Sequence, residues 1–263
     1  MQAEVTQNPV RMALLERKLS LGTWIQAGHP AVAEIFAGSG FAWIAADMEH
    51  TGISVEGFAN LARAAGNVPM LSRVRENDTL AIRQVLDAGA MGVIVPLVNS
   101  AVEARRAVAA AKYPPQGVRG FAFCRANGWG RDFDRYAADA NRDVAVVVMI
   151  ESKQAVDSID EILAVEGVDG VFIGPYDMSG SYGVTGQTGH RLVQDACAAV
   201  SDACRRAGKS AGIHVVKPTP QAIEGAIAQG FTFIALGMDT VFLAEGAAAV
   251  LSQATSRERR ENS

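Results

Sequence analysis

The sequence predicts a single α/β domain folded as a (β/α)8 TIM barrel with an extra N-terminal helix. Eight short apolar segments alternate with helical patterns along the 263 residues, which is the order of a parallel sheet with crossover helices. Eight is also the number of strands that closes such a barrel, which typically needs about 250 residues. An open, doubly wound sheet is the alternative, but the first strand is not followed by Gly-x-Gly-x-x-Gly.

The elements follow from apolar runs and from glycines that end helices. The apolar runs predict strands at Gly22–Gln26, Ala42–Asp47, Pro69–Val74, Gly92–Val98, Val144–Ile150, Gly170–Ile173, Ser210–Val215 and Thr232–Leu236. The intervening patterns predict helices at Val55–Ala65, Leu80–Ala88, Ala101–Lys112, Gln154–Val165, Leu192–Ala207 and Pro220–Ala228. Several helices are followed by glycine, as a helix C-cap often is: Gly89, Gly167, Gly208 and Gly230.

Three regions depart from this alternation, but none has the composition of a linker, so residues 1–263 are interpreted as one domain. Residues 1–20 add a helix at Val10–Leu19, which is expected to cap the floor of the barrel. Residues 114–142 form a long connection, and connections of this length in compact domains are usually functional. Residues 246–263 are expected to form a C-terminal helix and a charged tail that frays over Ser256–Ser263.

Composition narrows the classes of protein. The net charge is −4, the pI is about 5.6, and no basic stripe is visible, which disfavours a nucleic-acid partner. Three cysteines without paired spacing indicate reduced thiols in a cytoplasm. The sequence contains neither an apolar run of about 20 residues nor a signal-peptide core, so we expect no membrane association.

Two acids directly follow buried strands. Glu151 ends the run that begins at Val144, and Asp177 comes just after the break at Gly174-Pro175. The carboxyl ends of barrel strands meet at one rim, so the two carboxylates form a natural site for a hard divalent cation. Each also has a structural interpretation, because Asp177 suits a turn cap and Glu151 suits the N-cap region of a helix, where the dipole favours an acid.

Further polar residues fall at the same rim. Asp47, Glu49 and His50 follow the second strand, and Arg73 ends the third. A surface histidine and a rim salt bridge are the simpler interpretations of His50 and Arg73. Asp87 lies near a helix C-terminus, where an acid opposes the helix dipole, and this hints at a polar partner.

These residues belong to motifs that resemble a known family. The motifs are Asp47-Met-Glu-His50, Arg73 with Asn77-Asp78, Leu86-Asp-Ala-Gly89, Tyr113-Pro-Pro-Gln-Gly-Val-Arg-Gly120, Ile150-Glu151 and Val168-Asp-Gly-Val-Phe-Ile-Gly-Pro-Tyr-Asp177. In this order they resemble the class II pyruvate-dependent aldolases of the HpcH/HpaI group over roughly residues 20–245. The group includes 4-hydroxy-2-oxoheptanedioate aldolase and 2-keto-3-deoxy sugar-acid aldolases.

The resemblance implies a barrel of the phosphoenolpyruvate/pyruvate type, a cytoplasmic enzyme and a bound divalent ion (Mg²⁺, Mn²⁺ or Co²⁺). It also implies a homo-hexamer, built as a dimer of trimers with exchanged C-terminal helices. By position, Glu151 and Asp177 match the metal ligands, and Arg73 matches the arginine that holds the pyruvyl group. Asp47 and His50 match an acid–base pair, and Asp87 matches a supporting acid.

The expected reaction is reversible cleavage of a 4-hydroxy-2-oxo acid to pyruvate and an aldehyde through a metal-stabilised enolate. Arg73 is expected to stabilise the enolate, His50 to move the hydroxyl proton with Asp47 orienting its imidazole, and Glu49 is the rival base. Backbone N–H groups after Gly174 and Pro175 are expected to bind the pyruvate carboxylate.

The sequence departs from relatives at three places and leaves the aldehyde unnamed. Met149 stands where many relatives have Gln, the segment 125–129 lacks a second arginine that some relatives have, and Met48 stands where some relatives have Gly. Arg125, Trp129 and Tyr182 are candidates for the aldehyde pocket.

Three other functions stay open on the sequence alone. A Schiff-base aldolase needs a lysine in the barrel, and Lys217 is the candidate nearest a strand end. A CoA-thioester lyase of the citrate or malyl-CoA type needs the same carboxylates and space for a nucleotide. A non-catalytic pyruvate-binding barrel needs neither a base nor a metal.

Overall fold

Eight parallel strands form a closed barrel in which each strand pairs with the next and β8 pairs with β1. The computed structural model describes residues 8–261, with side chains for 8–255. The strands are β1 Ser20–Ile25, β2 Trp43–Asp47, β3 Met70–Arg73, β4 Gly92–Val95, β5 Ala145–Ile150, β6 Gly170–Ile173, β7 Ser210–Val215 and β8 Phe233–Met238. The predicted fold class is confirmed, and every predicted strand is found within a few residues of its expected bounds.

Helices join the strands on the outside of the barrel. They are α1 Pro9–Leu15, α2 Pro30–Gly38, α3 Val55–Ala64, α4 Thr79–Asp87, α5 Ala101–Ala111, α6 Phe133–Asp143, α7 Lys153–Asp157, α8 Ile159–Leu163, α9 Pro175–Ser181, α10 Arg191–Ala207, α11 Pro220–Ala228 and α12 Asp239–Glu261. The single helix predicted at Gln154–Val165 is divided at Ser158, which ends α7 and precedes α8. The sequence analysis included α6 in the long connection, although Phe133, Tyr136 and Ala140 fall at helical spacing within it.

The helix α1 closes the floor, by which we mean the end of the barrel where the strands begin. Val10 and Leu14 pack into the same cluster as the interior residues Trp43 and Phe233, whose rings stack at 4.2 Å. The Asn8 side chain donates to the carbonyl oxygens of two residues beside the starts of β4 and β5, Met91 at 2.6 Å and Asp143 at 2.8 Å. The predicted floor cap is therefore confirmed, although the helix ends at Leu15 rather than Leu19.

The long connection 114–142 also lies at the floor, because it leaves the end of α5 and enters the start of β5. It contains a 3₁₀ turn at Arg125–Asn127 and most of α6. The Arg125 guanidinium donates to the Ala88 carbonyl at the floor end of α4. The side chains of Phe123 and Trp129 are exposed there. This loop is thus at the opposite end from the carboxyl rim, where the strands end.

The last helix, α12, is anchored only at its start. The Asp239 carboxylate accepts the backbone N–H groups of Gln26 and Ala27, both at 2.9 Å, and joins α12 to the end of β1. From Leu243 to Thr255 every residue of this helix is exposed. The helix begins before the predicted start at residue 246, and the tail predicted to fray lies outside the described side chains.

Within residues 8–261, no helix is both long and apolar enough to cross a membrane.

Candidate active site

A cavity of about 490 Å³ opens at the carboxyl rim of the barrel. Its walls combine charged strand-end residues with apolar side chains. The residues that line it include Trp24, Gln26, Asp47, Arg73, Met149, Glu151, Phe172, Gly174, Pro175, Tyr176, Asp177, His214, Val216 and Met238. Six of the residues that the sequence assigned to the site therefore lie together: Asp47, Arg73, Glu151, Gly174, Pro175 and Asp177.

Asp47 and Arg73 form a two-pronged ion pair across neighbouring strands. They are register partners at the ends of β2 and β3, and the Arg73 Nε and Nη2 atoms donate to Asp47 at 3.0 and 2.7 Å. Burial raises the pKa of Asp47, but hydrogen bonds and charge from Arg73 outweigh it and hold that pKa below its usual value. The guanidinium also lies 5.0 Å from the centroid of the Trp24 ring. The arginine is consequently fixed in the cavity wall.

A chain of hydrogen bonds behind this pair comes from residues that sequence analysis did not assign. The Gln26 amide donates to Asp47 Oδ2 at 3.0 Å, and Gln26 is itself held by the bonds from its backbone to Asp239. Asp239 is 2% exposed, so it is a scaffold residue rather than a group in the cavity. Its position after the last strand was visible in the sequence, but its partners depend on how β8 meets β1.

Glu151 is a second deeply buried acid of the cavity, at 5% exposure beside 1% for Asp47. Its Oε2 atom accepts the backbone N–H of Leu97 at 3.0 Å, and Leu97 adopts a left-handed backbone with φ of 53°. Ser152 caps α7 through a bond from the Ala155 N–H, so Glu151 lies directly before the cap, in the N-cap region, while its carboxylate bonds to Leu97. Burial, together with the charges of Glu49 and Asp177, raises the pKa of Glu151 to about 7.

Gly174 leaves the space that the Glu151 carboxylate occupies. A Cβ atom at position 174 would lie 2.6 Å from Glu151 Oε1. The break after β6 that the sequence predicted is the start of the short helix α9, with Pro175 at its first position. Asp177 lies in the first turn of this helix, at the exposed mouth of the cavity.

Glu49 completes a group of three carboxylates that have little positive charge near them. Its buried Oε2 atom receives no hydrogen bond of good geometry from the described residues; the nearest cationic groups are Arg73 Nη1 at 3.4 Å and His50 Nε2 at 3.5 Å. Burial and the charges of Asp47 and Asp177 raise the pKa of Glu49, although Arg73 opposes them. Since Arg73 is already bound to Asp47, the surplus negative charge fits a divalent cation.

The described residues supply few ligands for such a cation. Among residues 8–255, no three of the His, Cys, Asp and Glu side chains are arranged to enclose a metal ion. A site built on Glu151 and Asp177 would have two protein ligands and would leave other positions for substrate or water.

His50 lies at the edge of this group, with its side chain 60% exposed. Its backbone N–H donates to Asp47 Oδ1 at 3.2 Å, while its imidazole is nearest to Glu49. The expectation that Asp47 orients the imidazole is therefore wrong, because both oxygens of Asp47 are occupied by Arg73, Gln26 and backbone groups.

Asp87 is not brought to this cavity. It ends α4 at the floor and pairs with the buried guanidinium of Arg119 at 2.7 Å. Arg119 also donates to the Tyr136 hydroxyl at 3.1 Å and lies over the ring of Tyr113 at 4.6 Å. The predicted polar partner of Asp87 is thus confirmed, whereas its assignment as a supporting acid in the reaction stays a prediction.

The candidates for the aldehyde pocket lie elsewhere. Arg125 and Trp129 are at the floor, and Tyr182 packs against the outer core after α9. None of the three lines the cavity of its own subunit. A connection from a helix to the next strand must lie at the floor, so the positions of Arg125 and Trp129 could have been derived from the sequence.

The lysine required by a Schiff-base mechanism is also missing from the cavity wall. Lys217 is exposed and pairs with Glu245 at 3.1 Å. Lys112 is buried at the floor, where it donates to two carbonyl oxygens. Within the described part of the chain, no lysine lines the rim cavity, which disfavours that alternative.

Sequence comparisons agree with the geometry. A family profile described as HpcH/HpaI aldolase/citrate lyase matches residues 20–245. The chain is 38% identical over 242 residues to a 2-keto-3-deoxy-L-rhamnonate aldolase from Salmonella dublin, covering 90% of each chain. It is 36% identical over 249 residues to a 4-hydroxy-2-oxovalerate aldolase from Rhodococcus jostii, covering 94% of this chain and 95% of that protein. Both relatives are aldolases, which favours the aldolase interpretation over a CoA-thioester lyase.

The fold has a close match among solved structures. A HpcH/HpaI aldolase/citrate lyase family protein from Burkholderia cenocepacia superposes with a TM-score of 0.90 at 30% identity. The match covers 95% of this chain and all of that one, so it includes both the barrel and its rim.

Proposed function

The chain belongs to the HpcH/HpaI aldolase family, and we propose that it is a metal-dependent class II aldolase that forms and cleaves 4-hydroxy-2-oxo acids. The products of cleavage are pyruvate and an aldehyde. The observation that carries the proposal is the surplus of negative charge at the rim, where Glu49, Glu151 and Asp177 surround one arginine that is already paired. A divalent cation neutralises this charge, and the cleavage reaction needs one.

Glu151 and Asp177 would hold the cation, since their oxygens suit Mg²⁺, Mn²⁺ or Co²⁺. When bound, the ion supplies Lewis-acid stabilisation to the enolate of pyruvate. Leu97 and Gly174 fix Glu151 for this role, one by a backbone hydrogen bond and the other by leaving room for the carboxylate.

Arg73 stabilises the same enolate from the side of β3. Its Nε and Nη2 atoms already donate to Asp47. Nη1 lies 3.4 Å from Glu49 Oε2 without a hydrogen bond, so it is the donor we assign to a substrate oxygen. Asp47 and the Trp24 ring prevent the guanidinium from turning away. A fixed donor of this kind stabilises developing charge without the cost of reorganisation.

The pyruvate carboxylate is expected at the start of α9. The N–H groups in the first turn of a helix lack intrahelical acceptors and point outward. Gly174 and Pro175 bring this turn into the cavity wall. The carboxylate then lies next to Glu151 and Asp177, where a chelating 2-oxo acid needs it.

His50 is the proposed base for the C4 hydroxyl, and Glu49 is its rival. Replacing His50 by Ala should slow cleavage by about 10²–10⁴-fold, the usual value for a general base. Exchange of the pyruvate methyl protons in deuterated solvent should fall less, because it needs enolisation but no aldehyde. Normal cleavage by His50→Ala, together with its loss in Glu49→Gln, would assign the base to Glu49.

Removal of the metal tests the proposal directly. Exhaustive chelation should abolish pyruvate release from a 4-hydroxy-2-oxo acid, and Mg²⁺, Mn²⁺ or Co²⁺ should restore it. Borohydride added with pyruvate should trap no adduct. Full activity after chelation, or a covalent adduct on Lys217, would refute the metal mechanism. Screening aldehydes with pyruvate and each ion would then identify the aldehyde partner.

We also infer a homo-hexamer with exchanged C-terminal helices and a cytoplasmic location. The helix α12 exposes Leu243, Val250 and Leu251, each at least 65%, and a helix with exposed apolar residues is stabilised by a neighbouring subunit. The described cysteines are free and buried, which suits a reducing compartment.

We infer that the assembly also gives Asp87 a place in the reaction. Because Asp87 lies at the floor of its own barrel, it would have to act in the cavity of another subunit. An inactive Asp87→Asn protein mixed with an inactive Glu151→Gln protein should then regain activity after subunit exchange. Some sites would receive an intact Glu151 from one protein and an intact Asp87 from the other. Mixing that never restores activity would limit Asp87 to its structural pair with Arg119.

A further inference from the structure

One wall of the rim cavity holds a histidine among mainly apolar side chains. This wall is formed by the ends of β7, β8 and β1, with Ile213, Val216, Met238 and Trp24 facing the cavity. His214 lies among them, and its ring is 6.1 Å from that of Trp24. The family mechanism described above gives His214 no task.

A bulge in β8 creates the partner of this histidine. Gly22 pairs with Ala235, but Trp24 pairs with Met238, so β8 contains one extra residue between these positions. Gly237 lies in the bulge with φ of +58°, a conformation that favours glycine, and the Phe242 ring occupies the space where a Cβ would lie. The Gly237 carbonyl is therefore turned out of the strand ladder and contacts His214 Nε2 at 3.0 Å.

This contact determines the tautomer of His214. A carbonyl oxygen only accepts hydrogen bonds, so Nε2 must carry the proton. Burial lowers the pKa of His214 to about 4, and the charge of Arg73 adds to this effect, although the bond to Gly237 opposes it. At neutral pH the ring is uncharged, and Nδ1 presents a lone pair.

The other ring nitrogen belongs to a residue of the cavity lining. Among the described residues no donor bonds to Nδ1, and this atom is not completely buried, so it is open to a bound molecule. Pyruvate presents only acceptor oxygens and offers Nδ1 nothing to accept. A donor must come from the other substrate, and the only donor that a simple sugar-like aldehyde carries is a hydroxyl group.

We propose that His214 Nδ1 accepts a hydrogen bond from a hydroxyl group of the aldehyde partner and so selects hydroxylated aldehydes over alkyl aldehydes. This proposal rests on the aldolase function and deepens it by assigning a specificity residue. The apolar neighbours of His214 strengthen the preference, because a lone pair that loses its water in an apolar wall needs a replacement donor.

The test compares two aldehydes that differ by one hydroxyl group. The kcat/KM values for addition of pyruvate to glycolaldehyde and to acetaldehyde are measured with saturating Mg²⁺ or Mn²⁺. We expect His214→Phe, which keeps a ring but loses the acceptor, to lower the glycolaldehyde-to-acetaldehyde ratio by about 10-fold. His214→Gln, which can donate to Gly237 and still accept, should keep more of the ratio than His214→Leu. This second pair makes the same comparison if the Phe variant folds poorly.

The matched control is His29→Asn, which replaces an exposed histidine that caps α2 with another good cap. It should leave the ratio unchanged. A ratio that is also unchanged in His214→Phe, or rates that fall equally for both aldehydes, would overturn the specificity role in an enzyme that still adds both. If the wild-type protein adds neither aldehyde, and exchanges no pyruvate methyl protons, the aldolase function itself fails and the role of His214 fails with it.

Discussion

Two cavities of nearly equal size lie at opposite ends of this barrel, about 490 Å³ at the rim and about 480 Å³ at the floor. The floor cavity is lined by Arg125, Arg131, Asp139 and Asp143 among others. Both acids pair with Arg142, at 3.1 and 2.7 Å, and both arginines of the lining donate to backbone carbonyl oxygens. At the rim, by contrast, Glu49, Glu151 and Asp177 raise one another's electrostatic energy.

The comparison teaches that neither volume nor buried charge identifies a site in this protein. Lys112 and Arg119 are more deeply buried than most rim residues, yet each has a partner supplied by the chain. What distinguishes the rim is charge that the fold leaves uncompensated, and such charge persists only where a ligand or ion uses it. The following predictions test that distinction, beginning with the largest effect.

Glu151→Gln should abolish function while preserving the fold. Loss of a charged metal ligand should lower kcat/KM for aldol cleavage by about 10³-fold or more, equivalent to about 4 kcal/mol. The metal-free protein should unfold at the same or higher urea concentration, because an uncompensated charge has been removed. Cleavage near the wild-type rate would show that the surplus charge at the rim has no catalytic use.

Arg73→Lys should reduce aldolase activity less than Glu151→Gln does, but more than a conservative substitution would. A lysine cannot reproduce the planar, two-pronged contact with Asp47 or the stacking on Trp24. We expect kcat/KM to fall by about 30- to 1000-fold, or about 2–4 kcal/mol. Steady-state kinetics with a 4-hydroxy-2-oxo acid measure the effect, and kinetics like those of the wild type would reduce Arg73 to a structural ion pair.

Lys112→Met provides the contrast at the floor. Lys112 donates to the carbonyl oxygens of Asn141 and Val144 at 2.9 and 2.7 Å, and methionine leaves both buried acceptors unpaired. The free energy of unfolding should drop by about 2–3 kcal/mol. The kcat/KM of the folded fraction should not change. A kinetic defect without loss of stability would contradict the division between rim and floor.

The pH dependence of stability gives the smallest effect. Burial raises the pKa of Glu151 in the folded protein to about 7, above its ordinary value of 4.5. The folded state therefore holds a proton that the unfolded state releases, so its contribution is complete below pH 4.5 and is lost as pH rises through about 7. In chelated protein, urea unfolding at pH 5 and pH 8 should differ by about 2 kcal/mol from this source. The difference should disappear in Glu151→Gln and shrink when Mg²⁺ or Mn²⁺ is present.

The sequence predicted the rim better than the floor for a physical reason. Buried parallel strands are continuous apolar runs, so their ends, and with them Asp47, Arg73 and Glu151, can be located without tertiary information. The roles of Gln26 and His214 depend on the bulge in β8 and on the register of β1, which no local pattern encodes. Asp87 was a different case: the family motif gave it a role in the reaction, although its place at the end of a predicted helix already located it at the floor.

The packing of Arg73 against Trp24 gives the protein an internal optical reporter. The chain has three tryptophans, and the structure places them in three different surroundings. Trp43 is sealed inside the barrel beside Phe233, Trp129 is 67% exposed at the floor, and Trp24 lines the rim cavity. Emission from Trp129 is thus open to quenching by iodide, whereas emission from Trp43 is shielded. After substitution of Trp129 by Phe, the remaining variable signal is that of Trp24, whose intensity follows the occupancy of the cavity in real time and without a coupled assay.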